Sequence, residues 1–332
     1  MMKSLKKRMM SKSGMKKVSV VIRCFNEETH IEKLFQGVRH QSIQPVEIIV
    51  VDSGSTDGTL EIAAKYTDKI FHIQPEKFSF GYSLNLGISN AGGDIVIIIS
   101  AHAYPVYEDW LEKMVGPFEE DDVALVYGRQ YGDETSKYSE RMWFKKCFPE
   151  QSNREQKSPF CNNANSAIRR SLWEKYKYDE ILTGLEDIDW AKKVFSDGYR
   201  IVYQADAPIF HIHDEAPARI YNRYRREAIA LKKIYPETRF TIIDLFVLTS
   251  RNIINDWFHA SRDKLLWQHF IDIIVFRSCQ FLGTYHGHTI SCEITSELRN
   301  KFYYPPTPFS ENEDSTRNSS VRIDYTAKSR DK

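Results

Sequence analysis

No apolar run in the 332-residue sequence approaches the roughly 20 residues that a membrane-crossing helix needs. Charge of one sign is not in excess either. Lys and Arg number 46 against 45 Asp and Glu, which argues against a nucleic-acid binder, because such chains carry a basic surplus. The five cysteines, Cys24, Cys147, Cys161, Cys279 and Cys292, are scattered and never spaced Cys-x-x-Cys. That spacing offers no zinc pattern, and it fits reduced thiols in a cytoplasmic protein. Two phosphate-binding fingerprints are missing as well: no Gly-x-Gly-x-x-Gly follows a strand, and no Gly-x-x-x-x-Gly-Lys occurs. Any bound phosphate would need another countercharge. Met1 to Lys17 is rich in Lys and Met but lacks the apolar core of a secretory signal. It reads as a flexible basic arm, or as residues ahead of a start at Met15. No internal repeat is seen.

What is present is a core. At 42% hydrophobic residues the chain can bury one large core plus a smaller appendage. Val18 to Cys24 reads as a strand, Thr29 to His40 as an amphipathic helix, and Val46 to Val51 as a second strand. A helix from Leu60 to Lys65, a strand over Lys69 to Ile73 and a helix over Gly81 to Ala91 follow. Five consecutive β-branched residues, Ile95 to Ile99, then suit a strand buried on both faces, which stops at Ser100, Ala101 and His102. This alternation predicts a mostly parallel sheet flanked by helices, an α/β Rossmann-like fold. Beyond it, a helix over Trp110 to Phe118 and a strand over Val123 to Tyr127 are expected. An irregular polar and aromatic stretch over Gly128 to Asn165 comes next, then a strand edge passing into a helix over Ala167 to Tyr176. A helix over Glu186 to Asp197 and a strand from Arg200 to Tyr203 lead to His211-Ile212-His213. Pro236 marks a boundary. The expected organisation is a leader over 1–16, the α/β domain over 17–235, a helical region over 236–309 and a disordered tail over 310–332.

Four constellations could carry chemistry. In open α/β sheets ligands meet the carboxyl ends of strands, and three such ends hold polar residues: Asn26 and Glu27, Asp52 and Ser53, and Ser100 with His102. Each is also an ordinary turn or cap residue. Three carboxylates, Glu186, Asp187 and Asp189, open a helix behind Gly184. Complementing the helix dipole would explain one of them but not all three. His211 and His213, two apart on a strand, face one side and could reach one point, as metal ligands or as cations on phosphate. Arg219, Arg223, Arg225 and Arg226 form a basic cluster, either a solvated helix face or a partner for pyrophosphate.

Taken in order, Val18-Ser-Val-Val-Ile-Arg-Cys-Phe-Asn26-Glu27, Val-Val-Asp52-Ser-Gly-Ser-Thr-Asp57-Gly-Thr, Phe80-Gly-Tyr-Ser-Leu-Asn85-Leu-Gly87, Glu186-Asp187-x-Asp189-Trp190 and His211-x-His213 resemble family 2 glycosyltransferases of the GT-A fold, over roughly Val18 to Ala230. The Phe80 to Gly87 segment and Gly128-Arg129-Gln130 resemble its rhamnosyltransferase-like branch, which builds bacterial surface polysaccharides such as capsule or O-antigen. The resemblance implies an inverting transfer of a sugar from a nucleotide-sugar donor to a glycan or lipid-linked saccharide. It places Asp187, beside Glu186, as catalytic base. Asn26, Glu27, Asp52, Ser53, Asn85, Ser100, His102 and Arg226 fall on the donor side, and Asp189, Trp190 and Asn165 on the acceptor side.

Where relatives carry Asp-x-Asp to hold a divalent cation, this chain has Ser100-Ala101-His102. Losing two carboxylates weakens Mg2+ binding. Three readings stay open: a softer ion such as Mn2+ held by His102 with His211 or His213, a protonated His102 that offsets phosphate unaided, and a donor with a single phosphate. A catalytically inactive nucleotide-sugar or glycan-binding module of the same fold is the alternative function, although it leaves the retained carboxylates without a role. The helices over Ile242 to Leu282 are expected to pack on the catalytic domain, with homodimerisation or peripheral contact with the inner membrane face as alternatives.

Overall fold

The computed structural model describes residues 16–213 and 215–290. The tail over 310–332, the end of the helical region from 291, and the leader apart from residue 16 lie outside the described residues. The strands are β1 (Val18–Cys24), β2 (Glu47–Asp52), β3 (Ile70–His72), β4 (Ile95–Ser100), β5 (Ala103–Pro105), β6 (Val123–Tyr131), β7 (Asn165–Arg169) and β8 (Arg200–His211). They form one sheet in the order β3-β2-β1-β4-β7-β6-β8-β5. The helices are α1 (Ile31–Arg39), α2 (Thr59–Ala63), α3 (Phe80–Ser89), α4 (Trp110–Val115), α5 (Tyr138–Cys147), α6 (Arg170–Lys175), α7 (Glu186–Ser196), α8 (Pro217–Ile234), α9 (Ile242–Arg262) and α10 (Leu266–Thr289).

The β-branched run behaves as its composition demands. Side chains alternate across a strand, so Ile95, Ile97 and Ile99 enter the core layer with α1, α2 and α4. Val96 and Ile98 enter the opposite layer with α3, α6 and α7. All five are fully buried. Parallel pairing joins β1 to β2 and β4, and β2 to β3. The sheet is mostly parallel as expected, with β7 mid-sheet as an exception that runs antiparallel to both β4 and β6. Its Asn165 and Ser166 are completely buried, so polarity there marks internal hydrogen bonding, not a sheet edge. The stretch read as irregular contains α5. Its buried face carries Tyr138, Ser139, Glu140 and Phe144, so polar residues interrupt the apolar stripe that would have betrayed a helix.

After the sheet, α10 lies along α8. Gly283 and Gly287 make this approach close: a Cβ at either would run into the main-chain carbonyl of Tyr221 or Arg225 on α8. Helix α10 also folds back on α9, with Trp257 and Phe270 stacked at a centroid distance of 4.4 Å. A buried polar cluster ties the pair to α5. Arg277 donates to Asp256 from Nε at 2.7 Å and from Nη2 at 3.1 Å, while Ser139 Oγ donates to the same carboxylate at 2.6 Å. The packing expected of these helices is thus present, but their other side is open: Ile243, Phe246, Ile254, Trp267 and Ile271 are all exposed. No helix among the described residues is long and apolar enough to cross a membrane.

Candidate active site

The site begins where β1 and β2 end side by side, with Cys24 paired to Asp52. Asp52 is only 1% exposed, and its carboxylate accepts from the main-chain N–H groups of Gly54 and Ser55. This turn uses the left-handed backbone of Gly54, φ 97°, which glycine adopts without steric cost. Ser53 Oγ donates to the Cys24 carbonyl at 3.0 Å. Asn26, itself left-handed at φ 55°, accepts from Thr56 N through Oδ1 at 2.8 Å, and its own N–H donates to Ser55 Oγ. These four residues shape the loops at the strand ends. Glu27 faces elsewhere: its carboxylate meets His102 Nδ1 at 2.6 Å.

His102 is brought to His211 by an edge pairing. Antiparallel β5 sets Ala103 opposite His211, and Ile212 N donates to the His102 carbonyl. The alternation expected of residues two apart places His213 beside His211, with ring centroids 4.1 Å apart. One ligand atom from each of His102, His211 and His213 lies within 4.8 Å of the others. Every Nδ1 is engaged from behind: His102 by Glu27, His211 by Gln130 Oε1 at 2.8 Å, and His213 by Glu140 Oε1 at 2.7 Å. Arg223 binds the same Glu140 oxygen at 2.9 Å and approaches His213 Nδ1 at 3.0 Å. Burial, helped by neighbouring positive charge, pushes the pKa of His211 and His213 well below the usual imidazole value, so both rings are neutral. His211 Nε2 is buried with no hydrogen-bond partner. Convergent neutral imidazoles with an unsatisfied nitrogen fit a divalent cation.

The second half of the site is the start of α7. Leu185 takes a left-handed conformation, φ 55°, and turns the chain so that Glu186 and Asp187 point inward, 4% and 8% exposed. Asp187 accepts from Asn163 N at 3.0 Å and Ile188 N at 2.8 Å. Burial, then repulsion from Glu186, raises its carboxyl well above the ordinary carboxylate range. Glu186 lies 3.5 Å from Arg23 Nη1. The Phe80 ring is covered by two guanidiniums, Arg23 at 4.7 Å and Arg226 at 4.8 Å. Asp187 borders a mostly apolar cavity of about 360 Å³, lined also by Trp143, Phe160, Leu185, Leu231 and Tyr235.

The loop 161–164 joins the two halves. Gln130, which holds His211, donates to Asn162 Oδ1 at 3.0 Å, and the neighbouring Asn163 holds Asp187. Gln130, Glu140, Arg23 and Asn163 are the participants that residue patterns missed as site residues. Arg23 and Gln130 lay within motifs named above; Glu140 and Asn163 did not.

Three expected site residues are placed in the packing instead. Trp190 is fully buried in the core, its Nε1 donating to the Tyr176 carbonyl, so it presents nothing to an acceptor. Asn165 is equally buried and spends its amide on Trp110, Arg129 and Ala207. Asn85 accepts from Trp173 Nε1 and Tyr178 N while donating to the Tyr178 carbonyl and Glu180. Each satisfies buried donors and acceptors, as burial requires. Asp189 points along α7 to Lys193, 2.6 Å away. Ser100 ends β4 half-buried, in register with Arg23.

Residues 19–177 match the family model "Glycosyl transferase family 2". The O-antigen chain rhamnosyltransferase WbaN of Salmonella anatum is 30% identical over 209 residues, covering 57% of this chain and 64% of that protein. The O-antigen chain rhamnosyltransferase RfbN of Salmonella typhimurium is 27% identical over 224 residues, covering 63% of this chain and 70% of that one. The chain thus spans somewhat under two thirds of the first relative's length. Among solved structures, the mannosyltransferase PcManGT from Pyrobaculum calidifontis, solved with GDP-Man and Mn2+, superposes with TM-score 0.58 at 18% identity, covering 87% of this chain and 88% of that one. Sheet and flanking helices have the architecture of the GT-A fold, and the match to family 2 glycosyltransferases lies over residues 19–177.

Proposed function

We propose that the protein is an inverting glycosyltransferase of the rhamnosyltransferase-like branch. It moves a sugar from a nucleotide-sugar donor to a glycan or lipid-linked acceptor in bacterial surface polysaccharide synthesis. The observation that carries this reading is Asp187, a buried carboxylate with a raised pKa at the wall of a largely apolar cavity. A base works best with a pKa near the working pH, and burial beside Glu186 moves Asp187 in that direction.

Asp187 takes the proton of an acceptor hydroxyl as that oxygen attacks the anomeric carbon from the face opposite the departing nucleotide. One C–O bond forms while another breaks, and the electron pair of the broken bond leaves on the phosphate. Asn163 N and Ile188 N hold the carboxylate in place. Glu186 lies against Arg23, and Asp187 is the one of the two carboxylates that borders the cavity. The strand-end loops of Asn26, Asp52 and Ser53 cradle the nucleotide, with Ser100, His102 and Arg226 toward its phosphates. A divalent cation held by His102, His211 and His213 would supply positive charge against the leaving phosphate.

The exposed apolar side of α9 and α10 rests on the inner face of the membrane, where a lipid-linked acceptor is presented. Such faces bind the interface without crossing it. The reading is tested by screening nucleotide sugars for thermal stabilisation and nucleotide release, with Mn2+ and with EDTA. Stabilisation by at least one donor is expected; a full panel without stabilisation or release would reject it.

A further inference from the structure

The three histidines differ from a fortuitous packing of rings in how they are held from behind. His102, His211 and His213 each have Nδ1 against a side-chain oxygen, at 2.6, 2.8 and 2.7 Å. Those oxygens come from Glu27 after β1, Gln130 on β6 and Glu140 on α5, three segments distant in the chain. With the proton placed on Nδ1 to meet the oxygen, Nε2 carries a free electron pair on His102 and His211. His213 matches them when its Nδ1 gives its proton to Glu140 at 2.7 Å and Arg223, 3.0 Å from the same nitrogen, donates to the Glu140 oxygen instead. His211 Nε2 is the buried atom that finds no partner. A buried acceptor without a partner costs free energy, and an ion would relieve it.

We propose that His102, His211 and His213 form an all-imidazole site for a first-row transition ion such as Zn2+ or Co2+ in preference to Mg2+, and that Glu27, Gln130 and Glu140 are its positioning residues. This rests on the reading of the cluster as the place of the donor's phosphates for the ion's use, not for its binding. The preference follows from the donor set. Mg2+ demands oxygen ligands, and the cluster offers three nitrogens. Imidazole suits the later transition ions, whose affinity for such ligands rises from Mn2+ through Co2+. The compensating negative charge sits one shell out, on Glu27 and Glu140, where carboxylates orient the ring and raise its basicity. Arg223 fits the same plan. It pairs with Glu140 and with Glu215 at 3.0 Å, which pins the Glu140 carboxylate against His213.

The test is equilibrium dialysis of the untagged full chain against Zn2+, Co2+, Mn2+ and Mg2+ without any nucleotide sugar, with visible absorption of the Co2+ form as a second readout. One Zn2+ or Co2+ per chain is expected, with the absorption of a nitrogen-bound ion and no displacement by millimolar Mg2+. His211→Ala should abolish binding. Glu27→Ala and Glu140→Gln should weaken it about 10- to 100-fold with circular dichroism unchanged. Absence of stoichiometric binding by a folded chain, or equal competition by Mg2+, overturns the site. Unchanged affinity in both glutamate variants overturns the positioning role. Because no donor is present, failure of the transfer reading leaves these affinities as they are, so the two failures are distinguishable.

Discussion

Replacing Arg277 by Met should loosen the α9–α10 pair from the catalytic domain, and the size of the effect can be worked out. The guanidinium is 5% exposed and its partner Asp256 not at all. Arg277 makes two bonds to Asp256, one to Gln280 Oε1 at 2.7 Å and one to the Ser139 carbonyl at 3.2 Å. Removing it leaves a buried carboxylate with Ser139 Oγ as its remaining donor. Breaking a buried pair in this way costs about 3–5 kcal/mol, and at roughly 2–4 °C per kcal/mol for chains of this size the unfolding midpoint falls by about 10 °C. Desolvating both charges offsets much of the pair's attraction. The double variant Arg277→Met with Asp256→Leu should therefore recover to within about 1 kcal/mol of the wild type, or exceed it. Urea unfolding of the four proteins in the double-mutant cycle measures the coupling. A single variant within 1 kcal/mol of wild type, or a double variant no better than the single, would show that the network is not the buried pair described.

The glycine seam between α8 and α10 makes a second prediction. Ala at both Gly283 and Gly287 gains helix propensity of about 1 kcal/mol per site, but the obstructing atoms are main-chain carbonyls of α8. Overpacking should win by about 2 kcal/mol in total; a stabilised variant would contradict the close approach. The pH profile follows from Asp187. A base must be unprotonated, and burial with Glu186 raises its pKa, so kcat/KM should fall as pH is lowered through that raised value. The acid limb then lies well above the usual carboxyl range of about 4, and an acid limb at the ordinary value would remove Asp187 from the role. Phe246→Asp combined with Ile254→Asp, both on the exposed side of α9, should reduce sedimentation with anionic vesicles at unchanged stability. Unchanged vesicle binding, with a dimer lost on velocity sedimentation, would assign that face to a second copy instead.

The parts legible from residues alone were those governed by local periodicity. The run Ile95 to Ile99 announced a central strand, and the stripe Ile31, Leu34, Phe35 and Val38 announced α1. The His211–His213 spacing announced a same-face pair. What could not be read was decided by distant partners. His102 joins that pair only because β5 docks antiparallel on β8, and Glu140 became visible only once α5 was seen to hold polar residues on its buried face. Asn85 and Trp190 looked like site residues because they sit in the motifs, and Asn165 because it closes the polar stretch that begins at Gly128. Their polar atoms are consumed by groups up to 95 positions away in the chain, which no spacing rule reveals. Direction was equally hidden: nothing in Asn-Ser-Ala-Ile-Arg marks β7 as antiparallel.

In the proposed transfer, Asp187 deprotonates an acceptor as the sugar leaves its nucleotide. The most direct measurement compares wild type with Asp187→Asn, using whichever nucleotide sugar stabilises the fold and following both donor affinity by calorimetry and the rate of nucleotide release with acceptor present. Loss of a general base costs about 10²- to 10⁴-fold. A fall of that size in the rate is expected, with donor affinity within a few-fold of wild type. Near-normal turnover by the Asn variant would contradict it.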